Sequence, residues 1–218
     1  MSQILIPRRR ILRAAALSLP FFTVPGAFAE RLAETPAMTE GPFYPDKLPL
    51  DTDNDLLYIN DAVTPGVGTI THLTGRVLTA AGSPIRNAVV EIWQSDNDGI
   101  YKHSKSKELD KFDSNFQSFG RFLTDGQGRY YFRTIKPTPY SRRTPHIHFA
   151  VYVEGKHVLT SQILIKGYVG NAKDGLFNKI EKSRRDAVLA DFVPVQGSTF
   201  GELQANFDIV LGRTPEAH

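Results

Sequence analysis

Residues 146–153, HIHFAVYV, alternate with the two-residue period of an extended strand. The odd positions of this segment are all apolar and predict a face turned toward a core: Ile147, Phe149, Val151 and Val153. His146 and His148 lie on the opposite face, with Cα atoms roughly 6–7 Å apart in such a strand. The pattern therefore predicts a core strand that presents two imidazoles, able to share one metal ion, on its other face.

Short runs of β-forming residues, separated by turn signals such as residues 80–84 and 125–128, continue along the chain. This spacing predicts an all-β fold, an antiparallel β-sandwich over residues 69–218. Residues 30–68, rich in Pro, Asp, Asn and Gly, predict an extended N-terminal arm. One or two short peripheral helices are expected, one of them over residues 178–190. Besides 146–153, the expected strands are residues 70–79, 88–93, 120–124, 129–135, 158–165 and 207–211.

The first 29 residues predict a twin-arginine export signal. Arg8, Arg9 and Arg10 precede a short apolar stretch, residues 14–24, and residues 27–29 read A-F-A, as at a signal cleavage site. The apolar stretch is shorter than the ~20 residues that span a bilayer. We therefore expect export to the periplasm or beyond and no stable membrane anchor after removal of the signal.

The charge of the chain depends on this signal. The 218 residues carry a net charge of +3, but the signal holds four arginines and no acid, so its removal leaves a net charge of −1. Nucleic acid is therefore not an expected partner. The chain has no cysteine, which excludes disulfides and thiolate metal ligands.

Two histidines alone do not define a metal centre, since an H-x-H strand also suits zinc, copper or two solvated side chains. Glu154, six residues beyond His148, lies roughly 20 Å away along an extended strand and cannot join them. Glu91 stays open as a distant carboxylate ligand. Two tyrosines are further candidates: Tyr140 in a Pro-rich turn before the strand, and Tyr101 after a turn that follows an earlier strand. Phenols ionise near pH 10, so only a hard, highly charged cation such as Fe(III) uses them readily.

The order of these motifs resembles the intradiol ring-cleavage dioxygenases, which include protocatechuate 3,4-dioxygenase and catechol 1,2-dioxygenase. The resemblance covers about residues 39–165. It rests on residues 73–77, 90–101, 120–125, 128–137 and 143–149, together with the arm motif at residues 39–44.

The resemblance implies a non-haem Fe(III) dioxygenase that opens a catechol-type ring between its two hydroxylated carbons with O2, giving a muconate-type diacid. The metal ligands implied are Tyr101, Tyr140, His146 and His148, with Tyr140 and His148 axial. The small aromatic diol and O2 are the implied partners, and a homo-oligomer is left open.

The resemblance also assigns roles around the metal. Tyr140 takes a proton from the arriving diol, Arg143 stabilises negative charge as the ring loses aromaticity, and Gln162 lines the pocket. The arm is expected to pack over the mouth of the substrate pocket through Gly41, Pro42, Phe43 and Tyr44.

Two other classes of protein fit parts of the pattern. A transthyretin-like β-sandwich binding module without catalysis shares the residues 75–77 and 124–130, but has no need of the histidines, Tyr140 and Arg143 together. A zinc hydrolase with His157 as third ligand would leave the tyrosines unexplained.

The face on which Gln162 lies depends on the hairpin loop. A two-residue turn at Gly155 and Lys156 places Gln162 on the apolar face, whereas a three-residue loop over 154–156 places it across from His148. A glutamine among apolar side chains would leave its amide unpaired, at a cost of roughly 1–3 kcal/mol. This cost, with the resemblance, favours the three-residue loop.

Overall fold

The computed structural model describes residues 31–60 and 62–212, which form two five-stranded sheets packed on a shared core. The signal predicted in residues 1–29 lies outside the described residues. The strands are β1 (Ile70–Thr79), β2 (Val89–Trp93), β3 (Phe119–Leu123), β4 (Arg129–Ile135), β5 (His146–Val153), β6 (Lys156–Ile165), β7 (Leu189–Ala190), β8 (Phe192–Pro194), β9 (Leu203–Asn206) and β10 (Ile209–Leu211).

The predicted all-β sandwich is confirmed, with most neighbouring strands antiparallel. One sheet has the order β3-β2-β5-β6-β7, and the other is built around β1, which pairs with β4, β9 and β10. Three pairings are parallel and depart from the expected pattern: β1 with β9, β1 with β10, and β6 with β7. Strands β7, β8 and β9 were not expected, because runs of two to four residues are too short to show a strand pattern in the sequence.

The main core lies between the two sheets. The odd positions of β5 enter it as predicted, and Ile147, Phe149 and Val151 are completely buried. Leu73 and Phe132 pack into it from the sheet of β1. The opposite face of β5 is therefore free to build something other than core.

The N-terminal arm runs across both sheets. Its described residues, 31–60 and 62–69, form no helix and no strand. Its backbone is bonded to the body, since Thr35 N donates to Val210 O at 3.0 Å and Met38 N to Thr160 O at 2.9 Å. Further along, Leu56 and Leu57 are buried in the main core. The segment is an extended arm, as expected, and its path passes the second face of β5.

The helix predicted over residues 178–190 is wrong in extent. The structure has an α-helix of five residues, α1 (Gly175–Lys179), followed by a 3-10 helix at Lys182–Val188. Ile180 is extended, with φ −72° and ψ 134°, and this conformation separates the two. Residues 189 and 190 leave the helical region because they pair with β6 as β7. None of the helices in the described part of the chain is long and apolar enough to span a membrane.

The β5–β6 hairpin places Gln162 directly across from His148, as predicted. The proposed three-residue loop, however, is wrong. The turn has two residues, Glu154 and Gly155, both with positive φ (51° and 73°), as in a type I′ turn. The ladder then shifts between Val151 and Tyr152, where Val158 is the extra residue of a bulge, and this bulge restores the register that Gln162 needs.

Candidate metal centre

His146 and His148 converge on one point at the outer face of β5. Each is 2% exposed, and their Nε2 atoms lie 3.1 Å apart. Two imidazole nitrogens bound at right angles to one ion, each about 2.1 Å from it, are separated by about 3.0 Å. The observed separation therefore matches two ligands of a single metal ion.

A hydrogen bond at His146 Nδ1 leaves the Nε2 atom of this ring as the one able to coordinate a metal. His146 Nδ1 lies 2.7 Å from the backbone O of Thr144, and since a carbonyl only accepts, Nδ1 carries the proton. His148 Nδ1 is buried without a partner among the described residues. That ring is held by packing instead, stacked on Trp93 with centroids 4.9 Å apart and an interplanar angle of 7°. Two facing Nε2 lone pairs require a proton or a cation between them.

Tyr101 reaches the histidines from the loop after β2. Its hydroxyl lies 3.4 Å from His146 Nε2, and the residue is 3% exposed. Asp96 fixes the loop, because its Oδ1 accepts from the backbone N of Asp98 at 3.0 Å and of Ile100 at 2.9 Å. The carboxylate thus organises the turn that brings Tyr101 under the arm.

Tyr140 approaches from the turn before β5. Its ring centroid lies 5.2 Å from that of Tyr101 and 5.8 Å from that of His146. Gly99 makes this approach feasible: it has φ +80°, and a Cβ there would lie 3.1 Å from the Tyr140 Cβ. Arg143 N donates to Tyr140 O at 2.9 Å and closes the turn. The two histidines and two tyrosines proposed as ligands therefore lie together.

Burial keeps all four side chains neutral in the absence of a cation. It lowers the pKa of His146 to about 4, and nearby Arg143 adds to this effect. Burial, followed by His146 and Arg143, lowers the pKa of His148 well below its ordinary value. Burial raises the pKa of Tyr101 well above 10, and raises that of Tyr140 against the opposing effect of Arg143. The imidazoles are thus ready to coordinate, whereas the phenols need a strong cation to ionise.

Arg143 and Gln162 form a polar pair beside the histidines. Arg143 Nη2 donates to Gln162 Oε1 at 2.6 Å, and Gln162 Nε2 donates to the arm at Thr39 O, 3.0 Å away. Arg143 Nε donates to Asp174 Oδ2 at 2.8 Å. Gln162 is completely buried, and Arg143 keeps 16% of its side chain exposed. The pair places a fixed positive charge at the edge of the cluster.

The arm covers the cluster through aromatic side chains. Phe43 stacks on Tyr101, with centroids 4.8 Å apart, and meets the Tyr140 ring edge-on at 5.9 Å. Tyr44 donates to Glu91 Oε2 at 2.9 Å. Gly41 lies against the histidines, since a Cβ at this position would be 3.5 Å from His148 Cε1. Pro42, in contrast, is exposed to solvent.

A cavity of about 550 Å³ opens beside the cluster. Phe43, Tyr101 and Tyr140 supply aromatic rings to its lining, and Lys105 and Lys107 line it as well. Such a volume suits a small aromatic molecule. Of the four arm residues predicted at the substrate pocket, Phe43 lines this cavity, whereas Gly41, Pro42 and Tyr44 do not.

Neither alternative ligand reaches the histidines. Glu91 is buried, but its carboxylate is bound by Arg121, with Nε at 3.0 Å, and by Tyr44. His157 pairs opposite Tyr152, four residues beyond His148 and so about 13 Å along the strand. Among residues 31–60 and 62–212, no three His, Cys, Asp or Glu side chains group as a metal site. The phenols of Tyr101 and Tyr140 are therefore the candidate donors that lie beside the histidines.

Three residues of the site were not expected from the sequence. Trp93 stacks on His148, Asp96 shapes the Tyr101 loop, and Asp174 binds Arg143. Asp174 also precedes α1 and accepts from Leu176 N and Phe177 N, as an N-cap does. An Asp just before a helix is a recognisable signal, but the helix was expected to start three residues later.

A β-sandwich whose outer face carries a buried cluster of two histidines and two tyrosines defines a candidate non-haem metal protein. A family model described as Dioxygenase matches residues 39–213. The chain therefore belongs to the intradiol ring-cleavage dioxygenase family.

Individual relatives agree with this assignment. The protocatechuate 3,4-dioxygenase β chain of Burkholderia cepacia is 36% identical over 148 residues, 64% of this chain and 63% of that one. Catechol 1,2-dioxygenase 2 of Acinetobacter lwoffii is 32% identical over 151 residues, 61% of this chain and 52% of its own. The match thus spans less than two thirds of either relative's length.

Solved structures have the same fold. The dioxygenase domain of a carbohydrate-binding fusion protein from Streptomyces sp. SirexAA-E has a TM-score of 0.62 and 26% identity, covering 83% of this chain and 99% of that one. An intradiol ring-cleavage dioxygenase from Tetranychus urticae has a TM-score of 0.65 and 21% identity, covering 83% and 95%. At 21% identity the second likeness concerns the fold alone.

Proposed function

We propose that the protein is an Fe(III)-dependent dioxygenase that opens a catechol-type ring between its two hydroxylated carbons with O2. The product would be a muconate-type diacid. The observation that carries the proposal is the convergence of His146 and His148 Nε2, 3.1 Å apart, beside the phenols of Tyr101 and Tyr140.

The donor set fits ferric iron. Two neutral imidazoles and two phenols supply two negative charges once the phenols ionise, and a hard trivalent cation offsets the cost of ionising them in a buried site. Tyr101, Tyr140, His146 and His148 would hold the ion. When bound, the iron would keep the phenols ionised and render a coordinated diol reactive toward O2.

The protein side chains would handle protons and charge. Tyr140 is more exposed than Tyr101, so its phenolate oxygen is the better placed to accept a proton from an arriving diol. Arg143 would stabilise negative charge that develops on the ring as aromaticity is lost, because its guanidinium is held at the edge of the cluster by Gln162. Phe43 would exclude water by covering Tyr101.

Oxygen uptake by the purified protein tests this function. Catechol, protocatechuate, hydroxyquinol and caffeate would each be supplied, with iron content measured and the products identified by mass. We expect a red-brown protein that consumes one O2 per ring opened and adds both oxygen atoms to the product.

Two variants separate the metal site from the fold. His148→Ala should lose iron, colour and oxygen uptake, whereas His157→Ala, on the same hairpin, should keep all three. A colourless, iron-free wild type that binds diols without O2 uptake would instead favour the transthyretin-like binding module. Full iron occupancy in His148→Ala would refute the ligand set.

Export through a twin-arginine signal is the second part of the proposal. It rests on Arg8 and Arg9 and on the A-F-A sequence at residues 27–29. Replacing both arginines by lysine should leave the protein in the cytoplasm and block removal of the signal. Fractionation followed by N-terminal sequencing checks this expectation, and unchanged export of the variant would contradict it.

A further inference from the structure

The carboxylate of Asp174 collects four hydrogen bonds although only 1% of the residue is exposed. Oδ2 accepts from Arg143 Nε at 2.8 Å and from Thr144 N at 3.0 Å. Oδ1 accepts from Leu176 N and Phe177 N, each at 2.9 Å. One side chain therefore joins the start of α1 to the residues that precede the first histidine of the cluster.

Asp174 is the firmer of the two anchors of Arg143. Gln162 contributes a neutral oxygen to Nη2, whereas Asp174 contributes a charged oxygen to Nε, and hydrogen bonds between ionised partners are about twice as strong. Together the two contacts restrain the guanidinium at both ends. Without the Asp174 carboxylate, the Arg143 side chain could rotate about its bond to Gln162.

The same carboxylate acts on the strand backbone. Thr144, whose N donates to Asp174, accepts at its backbone O from His146 Nδ1 at 2.7 Å. Thr144 Oγ1 also donates to Asn171 Oδ1 at 2.6 Å. Burial by itself would raise the pKa of Asp174, but the bonds from Phe177 N, Arg143 and Thr144 N lower it below its ordinary value. The carboxylate stays ionised where it contacts Arg143.

We propose that Asp174 is the positioning residue that fixes Arg143 toward the ring-opening site. The inference rests on the proposed function, since Arg143 is assigned there to the charge that develops during the reaction. The Asp174 carboxylate bonds to Arg143, Thr144, Leu176 and Phe177 and to none of the proposed metal ligands. Its effect should therefore fall on turnover rather than on metal content or diol binding.

Asp174→Asn changes the contact with little change of shape. One amide oxygen can still accept from Leu176 N and Phe177 N, but the amide nitrogen then faces the donors of Arg143 and Thr144. We expect kcat to fall by about 10–100-fold, with KM for the diol within about 3-fold and iron content and visible absorbance retained. An unchanged kcat would overturn the proposal.

Asp55→Asn is the matched control. Asp55 likewise accepts from an arginine, Arg133, and from a backbone amide, Leu57 N, but it does so against the other sheet. The Asp55–Arg133 pair is more exposed than the Asp174–Arg143 pair, so this variant should lose less stability, and it should keep its kcat. An equal fall in kcat in both variants would show that the loss reflects general destabilisation, and would overturn the proposal.

A double variant tests whether Asp174 acts through Arg143. In an Arg143→Ala background, adding Asp174→Asn should lower kcat by less than about 3-fold, because the residue to be positioned is already gone. An additional loss as large as in the single variant would overturn the inference.

A measurement without substrate or iron separates this inference from the proposed function. The metal-free protein would be labelled with 15N-arginine, and the Arg143 Nε–H signal assigned as the one that is missing from the spectrum of Arg143→Lys. In the wild type this Nε–H should exchange slowly with solvent. Asp174→Asn should accelerate its exchange at least about 10-fold. Unchanged exchange would defeat the positioning contact even in an active dioxygenase, whereas a responsive signal in a protein that opens no diol would defeat the proposed function.

Discussion

The Tyr44 hydroxyl donates to Glu91 Oε2 at 2.9 Å, and this contact joins the arm to β2. Glu91 is also bound by Arg121. Because Tyr44 is adjacent to Phe43, the same contact sets the position of the ring that covers Tyr101.

Tyr44→Phe should therefore loosen the cover of the site while leaving Glu91 paired with Arg121. We expect a loss of about 1.5 kcal/mol in the free energy of unfolding and a KM for the diol raised several-fold. Tyr131→Phe is the control, since it removes a hydroxyl contact to His72 on the other sheet. Urea unfolding and steady-state kinetics check both, and an unaltered KM in Tyr44→Phe would contradict a role for the arm in the pocket.

Tyr140→Phe should retain part of the iron through the three remaining ligands. Turnover should fall to background, because the phenol oxygen that accepts the proton is absent, and visible absorbance should fall and shift. The iron-to-protein ratio and the absorption spectrum distinguish this outcome from simple loss of metal. Wild-type turnover in Tyr140→Phe would remove this residue from the reaction.

Arg143→Ala should keep colour and diol affinity, because Arg143 contacts Gln162 and Asp174 but is not a proposed ligand. Turnover should fall by about 10²–10³-fold, the usual cost of losing one preorganised charge-stabilising donor. Arg142→Ala, at the exposed neighbouring position, is the control and should leave turnover near wild type. Rapid-mixing spectroscopy separates diol binding from ring opening.

The metal-free protein should lose stability as the pH falls from about 6.5 to about 4. In this range the unfolded chain protonates His146, whose pKa there is near 6.5, while the folded chain holds it neutral down to about 4. The unfolded state thus binds more protons and is favoured as the pH falls, with His146 alone contributing on the order of 3 kcal/mol.

Urea unfolding at several pH values checks this expectation. His146→Gln should reduce the dependence between pH 4 and 6.5 to the part that buried His148 contributes, whereas His157→Gln, at an exposed position, should retain all of it. Identical slopes in His146→Gln and wild type would show that this histidine is not the source.

Glu154→Asn should stabilise the hairpin. Glu154 has φ 51° in the type I′ turn, a conformation that asparagine adopts more readily than glutamate. We expect a gain of about 0.5–1 kcal/mol in the free energy of unfolding. Gly155→Ala is the opposite control, because its φ of 73° disfavours a Cβ, and it should destabilise the protein. A loss of stability in Glu154→Asn would contradict the turn type.

Local sequence was sufficient for much of the fold and for the two histidines of the proposed site. The alternation in residues 146–153 predicted both faces of β5, because a strand's period of two follows from its backbone alone. The same reasoning placed His146 and His148 together. Tyr101, Tyr140, Arg143 and Gln162 were named from their order along the chain and from the family resemblance, and the structure brings them beside the histidines.

The hairpin shows where local reasoning reached the correct register through the wrong turn. The expectation that the Gln162 amide needs polar partners, together with the family resemblance, placed it opposite His148, where the structure has it. The turn at Glu154 and Gly155 combined with a bulge at Val158 could not be read from the sequence, because a bulge and a longer loop shift the ladder equally.

The sequence by itself determined an all-β chain with a histidine face, a candidate tyrosine pair and an arm rich in turn residues. Only the tertiary structure decided that β1 pairs in parallel with β9 and β10, and that Asp174 begins α1 while holding Arg143. Strand periodicity and caps depend on neighbours within a few residues, so the sequence displays them. A parallel pairing or a contact across 31 residues depends on which surfaces remain after the core has formed, and this requires the whole fold.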